Sequence, residues 1–248
     1  MSRPSPASPA PRDPSPAAHE ASTEAHLQRS TCVICGKGQY DGATQIASIA
    51  SNVRRWSKHR STVWRCSFCG CLHSLEVRDL GRFYDEYPYG SRRLDGFTRK
   101  VFAHYVARLR RHGLKPTDAI LDYGCSEGLL LEYLREIGFT DCAGYDSFSA
   151  KYSDPGVLRR RYDAVICQDV IEHVEDPRQL VNSLSRSLNP GGLLCVGTPR
   201  ADGIDLARPA ASIHSLHQPF HLHILTQAAL TAIAVDAGLL AERMYIRH

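Results

Sequence analysis

Ile120-Leu121-Asp122-Tyr123-Gly124-Cys125-Ser126-Glu127-Gly128, running straight into Leu129-Leu130-Leu131-Glu132-Tyr133-Leu134, is the stretch on which the fold turns. A short apolar run, a glycine-interrupted turn and a segment of helical period predict a strand, a loop and a helix. Gly124 and Gly128 lack a Cβ, so the backbone there can turn tightly and come close to a ligand. The helix behind them offers unpaired N–H groups and the positive end of its dipole. Asp122 falls at the carboxyl end of the strand, where open α/β sheets bind small molecules. The same letters also serve a plain tight turn, so the continuation decides. Cys142-Ala143-Gly144-Tyr145 reads as a second strand. It ends in Asp146, about twenty residues on, placed to accept hydrogen bonds from a ribose diol.

Four pieces together carry a resemblance. They are Asp122-x-Gly124-x-Ser126-x-Gly128, Asp146, the run from Tyr162 through Gln168-Asp169-Val170-Ile171-Glu172-His173-Val174, and Leu188-Asn189-Pro190-Gly191-Gly192-Leu193-Leu194. From Asp118 onward the chain resembles class I S-adenosylmethionine-dependent methyltransferases, with Ser126 standing where the commoner pattern has its middle glycine. The resemblance implies an α/β, Rossmann-like core that holds S-adenosylmethionine on Asp122, Gly124, Cys125 and Gly128, with Asp146, Ser147 and Phe148 around the nucleoside. It further implies that Gln168, Asp169 and Val170, just after the fourth strand, line the pocket near the reacting methyl. Glu172 and His173 are then the best acid/base pair in the chain, since a histidine accepts a proton near pH 7 and an adjacent carboxylate orients it. The same turn equally serves as the lead-in to a helix at Asp176-Pro177, where the aspartate suits the N-cap and the proline the first turn.

The chain has 248 residues, 43% of them hydrophobic, enough for a packed core. A net charge of +4 is too small to imply nucleic acid by itself. Nine cysteines would suggest disulfides in a secreted protein, but the N-terminus shows no apolar signal region and no run is long enough to span a bilayer. The expectation is a cytoplasmic, reduced protein with a metal site and no membrane partner. Four parts follow. Residues 1–29, with prolines at 4, 6, 9, 11, 14 and 16, have little to bury and read as a disordered tail. Residues 30–78 hold Cys32-Val33-Ile34-Cys35-Gly36 and Cys66-Ser67-Phe68-Cys69-Gly70, two knuckles that suit a structural zinc ribbon with four thiolate ligands. A redox dithiol is the lesser reading. Residues 79–117 bring an aromatic segment with Tyr84, Tyr87 and Tyr89, then a helix with Val101, Tyr105 and Leu109 on one face. Residues 118–248 form the cofactor-binding domain. The order of these parts resembles zinc-ribbon methyltransferases acting on sugars and other small metabolites, which puts Tyr87 against the substrate and Tyr89 against the cofactor.

Departures from the pattern are as informative as matches. Only residues 147–162 separate the second strand from the fourth, too few for the usual helix and third strand, so a reduced sheet is expected. Phe148 or Tyr152 would then cover the adenine. Asn189-Pro190-Gly191-Gly192 reads as a helix stop. A long loop with His214, His217, His221 and His223 follows, and its resemblance to the family's substrate loop makes His221 or His223 an alternative base and His217 a substrate contact. Thr226 caps a helix through Val235, and 239–246 reads as a last strand. The family normally adds one more, so the sheet is reduced, completed by a second copy in a homodimer, or part of an inactive chain. Two rival functions stand beside small-molecule methylation. One is an RNA-modifying methyltransferase docking through the zinc module and Arg54-Arg55-Trp56-Ser57-Lys58-His59-Arg60; the other is a non-catalytic binding protein on the same fold.

Overall fold

The structure, a computed structural model, describes residues 27–77 and 93–241. Tyr84, Tyr87 and Tyr89, most of the tail and residues 242–248 lie outside them. The N-terminal part is a small antiparallel sheet. Strands β2 (Gln45–Ala50) and β3 (Arg60–Arg65) form a hairpin in register from Gln45↔Arg65 to Ala50↔Arg60, and β4 (Leu72–Ser74) lies on the other side of β3. A two-residue pair, β1 (Leu27–Gln28) with β5 (Glu76–Val77), closes its end. One cysteine knuckle precedes β2 and the other follows β3. Gly36 and Gly70, at φ of +68° and +70°, let both knuckles fold back at little cost.

Helix α1 (Gly96–Arg111) begins at Asp95, whose side chain accepts from the Thr98 N–H at 2.7 Å, and buries Val106 and Leu109. A second sheet follows, made of β6 (Ile120–Tyr123), β7 (Cys142–Tyr145), β8 (Tyr162–Gln168) and β9 (Leu188–Gly197). All neighbours are parallel and the order is β7-β6-β8-β9. Its strands are apolar runs because helices cover both faces of such sheets. Helix α2 (Leu129–Glu136) buries Leu130, Leu131, Tyr133 and Leu134. Helix α3 (Pro177–Arg186) starts as expected, with Asp176 accepting from the Gln179 N–H at 3.0 Å. Between Asp146 and Tyr162 there is only a 3-10 turn, Pro155–Arg159, so β7 is the sheet edge among the described residues. The reduced sheet is therefore present. One expectation fails: Asn189-Pro190-Gly191-Gly192 belongs to β9, because α3 already ends at Arg186 and the strand absorbs the proline and glycines beside a register shift in β8.

The histidine stretch is not a plain loop either. It contains one helical turn, α4 (Ile213–Leu216), and a short strand, β10 (His223–Ile224), before α5 (Gln227–Asp236). Strand β10 pairs antiparallel with β4, matching His223 to His73 and Ile224 to Leu72, so a C-terminal strand completes the N-terminal sheet. A single apolar cluster then runs through both parts. Cys32, Ile34, Trp64, Cys66 and Leu75 from the ribbon pack with Leu121, Val165, Ile171 and Leu225 from the core. Burying one such aliphatic side chain contributes roughly 1.5–3 kcal/mol, so this shared core holds the two sheets together. Residues 239–241 are not strand, and the remainder of the expected last strand lies outside the described residues.

Candidate functional site

Strand β6 delivers Asp122 to the carboxyl edge of the sheet, where burial, with Asp146 nearby, pushes its carboxyl up to about 7. The loop after it alternates. Gly124, Ser126 and Gly128 all take left-handed φ values, 81°, 49° and 78°. Ser126 accepts this conformation at more strain than glycine would. Gly124 N–H and Cys125 N–H donate to the Tyr145 carbonyl, at 2.7 and 3.2 Å, which ties the loop to β7. Asp146 faces the same loop. Its Oδ2 accepts from Ser126 N–H at 2.8 Å and its Oδ1 from Phe148 N–H at 2.9 Å. A carboxylate offers about four lone-pair positions, so capacity remains for two hydroxyl donors. Nearby, the buried Ser149 Oγ has no hydrogen-bond partner. Gly128 caps α2 without a side-chain bond, leaving the first-turn N–H groups for an anion. These groups fit an adenosyl cofactor with its ribose on Asp146 and its amino-acid carboxylate near α2.

Other expected cofactor contacts are arranged differently. The Cys125 thiol packs onto β7, where a Cβ on Gly144 would meet it. A Cβ on Gly124 would strike Val170, and one on Gly128 would strike the Tyr152 ring. Tyr152 thus closes over the loop while Phe148 stays 58% exposed and Ser147 is exposed. Gln168 lies over Gly197 and donates to Asp169 Oδ1 at 3.0 Å, with Asp169 itself left-handed at φ 54°.

The turn after β8 brings Glu172 and His173 against the segment leading into β10. Glu172 is buried, and burial pushes its carboxyl up to about 8. Thr198 Oγ1 donates to Glu172 Oε2 at 3.0 Å, whereas Oε1 has no hydrogen-bond partner and lies 3.9 Å from His221 Nε2. His173 Nδ1–H donates to the Phe220 carbonyl at 2.9 Å and His221 Nδ1–H to the Ser215 carbonyl at 2.7 Å. Both rings therefore carry their lone pair on Nε2. Burial lowers His173 to about 4 and His221 well below its usual value, so both are neutral near pH 7. Asn52, from the ribbon, accepts from His217 Nδ1–H at 2.9 Å, and the His217 ring stacks on Phe220 at 5.1 Å. His221 thus lies together with Glu172 and His173. His223, expected as an alternative base, turns the other way.

His223 instead belongs to a relay behind the cysteines. Arg29 Nη1–H donates to His223 Nε2 at 2.8 Å, His223 Nδ1–H to His73 Nδ1 at 3.1 Å, and His73 Nε2–H to Cys32 Sγ at 3.1 Å. Only this set of tautomers satisfies every member. Burial holds His73 down to about 3, so it stays neutral beside the thiol. Nothing in the sequence marks Arg29 or His73, because isolated residues far apart along the chain give no spacing signal. Cys32, Cys35, Cys66 and Cys69 themselves converge, with Sγ–Sγ separations of 3.5 Å (Cys32–Cys69) and 3.6 Å (Cys35–Cys66). Tetrahedral thiolates at about 2.3 Å from a metal would stand roughly 3.8 Å apart. All nine cysteines are free. The backbone N–H groups of Cys35, Phe68 and Cys69 aim at the sulfurs, and a Cβ on Gly38 would collide with Cys66 Sγ. The donor set fits a four-thiolate metal site, and Cys71, buried against Thr226, stands outside it.

A glycine loop and an acid hydrogen-bonded to it, at the carboxyl ends of the strands of a parallel α/β sheet, give a Rossmann-like fold. Residues 94–242 match the model of the methyltransferase domain. The ubiquinone biosynthesis O-methyltransferase of Dinoroseobacter shibae is 26% identical over 187 residues, 64% of this chain and 75% of that one. Its namesake in Rickettsia canadensis is 28% identical over 127 residues, and that of Cereibacter sphaeroides 29% over 143. The chain spans 50% and 56% of the length of these two. Among solved structures, the magnesium protoporphyrin IX methyltransferase of Synechocystis superposes with a TM-score of 0.46 at 18% identity, covering 66% of this chain and 87% of that one. An O-methyltransferase family protein of Burkholderia thailandensis gives 0.41 at 16%, covering 60% and 56%. The matched domain takes up more than half of the chain, which belongs to this family: it is a class I S-adenosylmethionine-dependent methyltransferase.

Proposed function

We propose that the protein methylates the hydroxyl oxygen of a small-molecule acceptor. The observation that carries this is the buried group of Glu172, His173 and His221 at the carboxyl end of β8, the strand beside the cofactor loop. S-adenosylmethionine supplies a methyl carbon on a good leaving group. The chain's own task is to line up the acceptor oxygen, exclude water and remove the oxygen's proton. Asp146 would hold the ribose hydroxyls and the loop from Gly124 to Gly128 the rest of the cofactor. Asp122 would orient the loop from beneath, and the group at β8 would take charge of the proton. Oxygen is chosen over nitrogen or carbon because the matching relatives are named O-methyltransferases.

The four cysteines would bind zinc for stability alone, since four thiolates leave no open position for water. A reducing compartment such as the cytoplasm suits nine free thiols. No helix among the described residues is long and apolar enough to cross a membrane. Calorimetry with S-adenosylhomocysteine, followed by transfer of radiolabelled methyl to a panel of hydroxylated metabolites, tests the reading. Label on a small hydroxyl compound supports it. Label entering RNA, with binding that weakens steeply with salt, would move the function to the docking alternative. Failure of the folded chain to bind S-adenosylhomocysteine at all would remove it.

A further inference from the structure

We infer that the tip of the β2–β3 hairpin, residues 51–59, is an anion-binding wall of the acceptor pocket, so that the small molecule methylated here carries a carboxylate or phosphate group besides its hydroxyl. The inference rests on the function proposed above and names the acceptor's class. The first observation is where the tip sits. The cysteine knuckles lie at one end of the hairpin; the tip, at the other, leans on the histidine segment. Asn52 spans the contact: its Oδ1 accepts from His217 Nδ1–H at 2.9 Å and its Nδ2–H donates to His214 Nδ1 at 3.4 Å. The His217 ring meets the His221 ring at 5.1 Å between centroids, and His221 Nε2 lies 3.9 Å from Glu172 Oε1. An unbroken series of contacts thus joins the tip to the group placed at the acceptor's proton.

The second observation is charge. Residues 42–75 contain no acid, whereas Arg54, Arg55, Lys58, Arg60 and Arg65 all fall within them. Three of these cations are engaged. Arg65 donates to the carbonyls of Gly70, Ala201 and Ile204, Arg60 donates to Ser48, and Arg55 lies over the Trp56 ring, 5.8 Å from its centroid. Arg54 and Lys58 are exposed, and no carboxylate among the described residues pairs with either. Exposed cations are ordinary on a surface. These two, however, stand on an ordered turn. Ser51 N–H donates to the His59 carbonyl at 3.0 Å, Trp56 N–H to Val53 at 2.9 Å, His59 N–H to Trp56 at 2.7 Å, and Val53 N–H to Ser51 Oγ at 3.1 Å. A backbone ordered in advance loses less entropy when its side chains capture a ligand.

The third observation is the arrangement of donors. Asn52 spends its oxygen on His217 and its amide on His214, which sets the two rings in opposite tautomers. His214 is exposed and keeps its proton on Nε2, a neutral donor added to the cations of the tip. His217 is partly exposed and keeps its lone pair on Nε2, an acceptor suited to a hydroxyl. A guanidinium grips a carboxylate or phosphate through two parallel bonds, so Arg54 can fix an anionic end in direction as well as in place. Holding that end would carry the hydroxyl at the other end toward the group at β8, which is the alignment that methyl transfer requires. Two cations on one turn suit a single oxyanion. A polynucleotide instead follows a stripe of cations and open aromatic faces, whereas Trp56 already has Arg55 over its ring.

Phenyl phosphate and benzoate are the probes, with phenol as the uncharged control. The full-length protein, purified with zinc, is titrated with each by calorimetry and by tryptophan fluorescence, with and without S-adenosylhomocysteine. Trp64 is fully buried, so a change in emission reports Trp56 at the tip. At least one anion should bind saturably with a Kd of about 1 mM or below, and phenol at least about tenfold more weakly. The tighter of the two anions identifies the group as phosphate or carboxylate. Arg54→Ala and Lys58→Ala should each weaken anion binding about three- to tenfold, while Arg111→Ala, an exposed arginine on α1, should leave it unchanged. Unaltered melting temperatures show that these surface variants fold. No saturable binding of either anion up to about 10 mM, phenol bound as tightly, or binding that neither tip variant weakens overturns the inference, even where methyl passes to an uncharged hydroxyl compound. An RNA oligonucleotide that displaces both probes overturns it too and assigns the tip to nucleic acid. Conversely, anion binding that Arg54→Ala and Lys58→Ala weaken, in a chain that methylates no hydroxyl compound, keeps the anion site and discards the proposed function.

Discussion

In the proposed function Asp146 would carry cofactor binding, because its two oxygens already fix the loop through Ser126 and Phe148 while keeping room for hydroxyl donors. Asp146→Asn keeps the size and loses the charge. S-adenosylhomocysteine should bind it about ten- to a hundredfold more weakly by calorimetry, the range expected for hydrogen bonds to a charged acceptor worth about 1.5–3 kcal/mol. Asp122 makes a different prediction. Burial, with Asp146 nearby, raises it to about 7 from an ordinary aspartate value near 3.8. Folding therefore holds its proton more tightly than the unfolded chain does. The stability tied to this group is complete below the unfolded value and is lost as pH climbs through about 7. Asp122→Asn should accordingly gain melting temperature relative to the parent between about pH 5 and pH 8, and an unchanged gap would refute the assignment. At this scale the sequence was legible where chemistry and spacing coincide, as in Asp146 and the four cysteines. It was silent on His73, Arg29 and Thr198, whose roles exist only once distant strands meet.

Elements were more legible than single residues wherever apolar period and cap agreed. The start of α3 follows from Asp176-Pro177, helix α1 from its apolar period, and strands β6 to β8 from short apolar runs. The missing third strand could also be read, because chain length is a hard limit. Strand β10 could not be: two residues, one of them histidine, carry no period, and its pairing with β4 is entirely long-range. The cap of α5 shows how such an element is anchored. Thr226 Oγ1 accepts from Ala229 N–H at 3.2 Å and donates to the Cys69 carbonyl at 3.1 Å, joining the helix start to the second knuckle. Removing either cap should cost about 1 kcal/mol of helix stability. Thr226→Val should also speed the loss of the proposed zinc from the cysteines to a chelator, whereas Asp176→Ala should leave that rate alone. Equal rates would separate the knuckle from the helix.

Over the whole molecule, the ribbon and the parallel sheet are divided in sequence yet undivided in packing. Trp64, fully buried, lies in the same apolar cluster as Val165 and Ile171, and Arg178 Nε–H from α3 donates to the Ile34 carbonyl at 2.9 Å. Such sharing favours a single cooperative transition over two. Thermal unfolding followed by tryptophan fluorescence, which reports the ribbon, and by far-ultraviolet circular dichroism, which reports the helices, should give coincident midpoints. Stripping the zinc proposed for the four cysteines should lower both together. Separate midpoints would mean that the ribbon is an independent module.

The strand contributed by His223 and Ile224 also imposes an order of events on synthesis. A ribosome releases the hairpin and both knuckles long before it makes the segment that lies beside Leu72 and His73. Until that segment emerges, β4 presents an unpaired edge and the His73 side chain lacks the neighbour that completes its relay to Arg29. A part of the chain translated well before β10 is thus among the last to be finished, and a nascent polypeptide halted before residue 223 should leave its thiols open to alkylation.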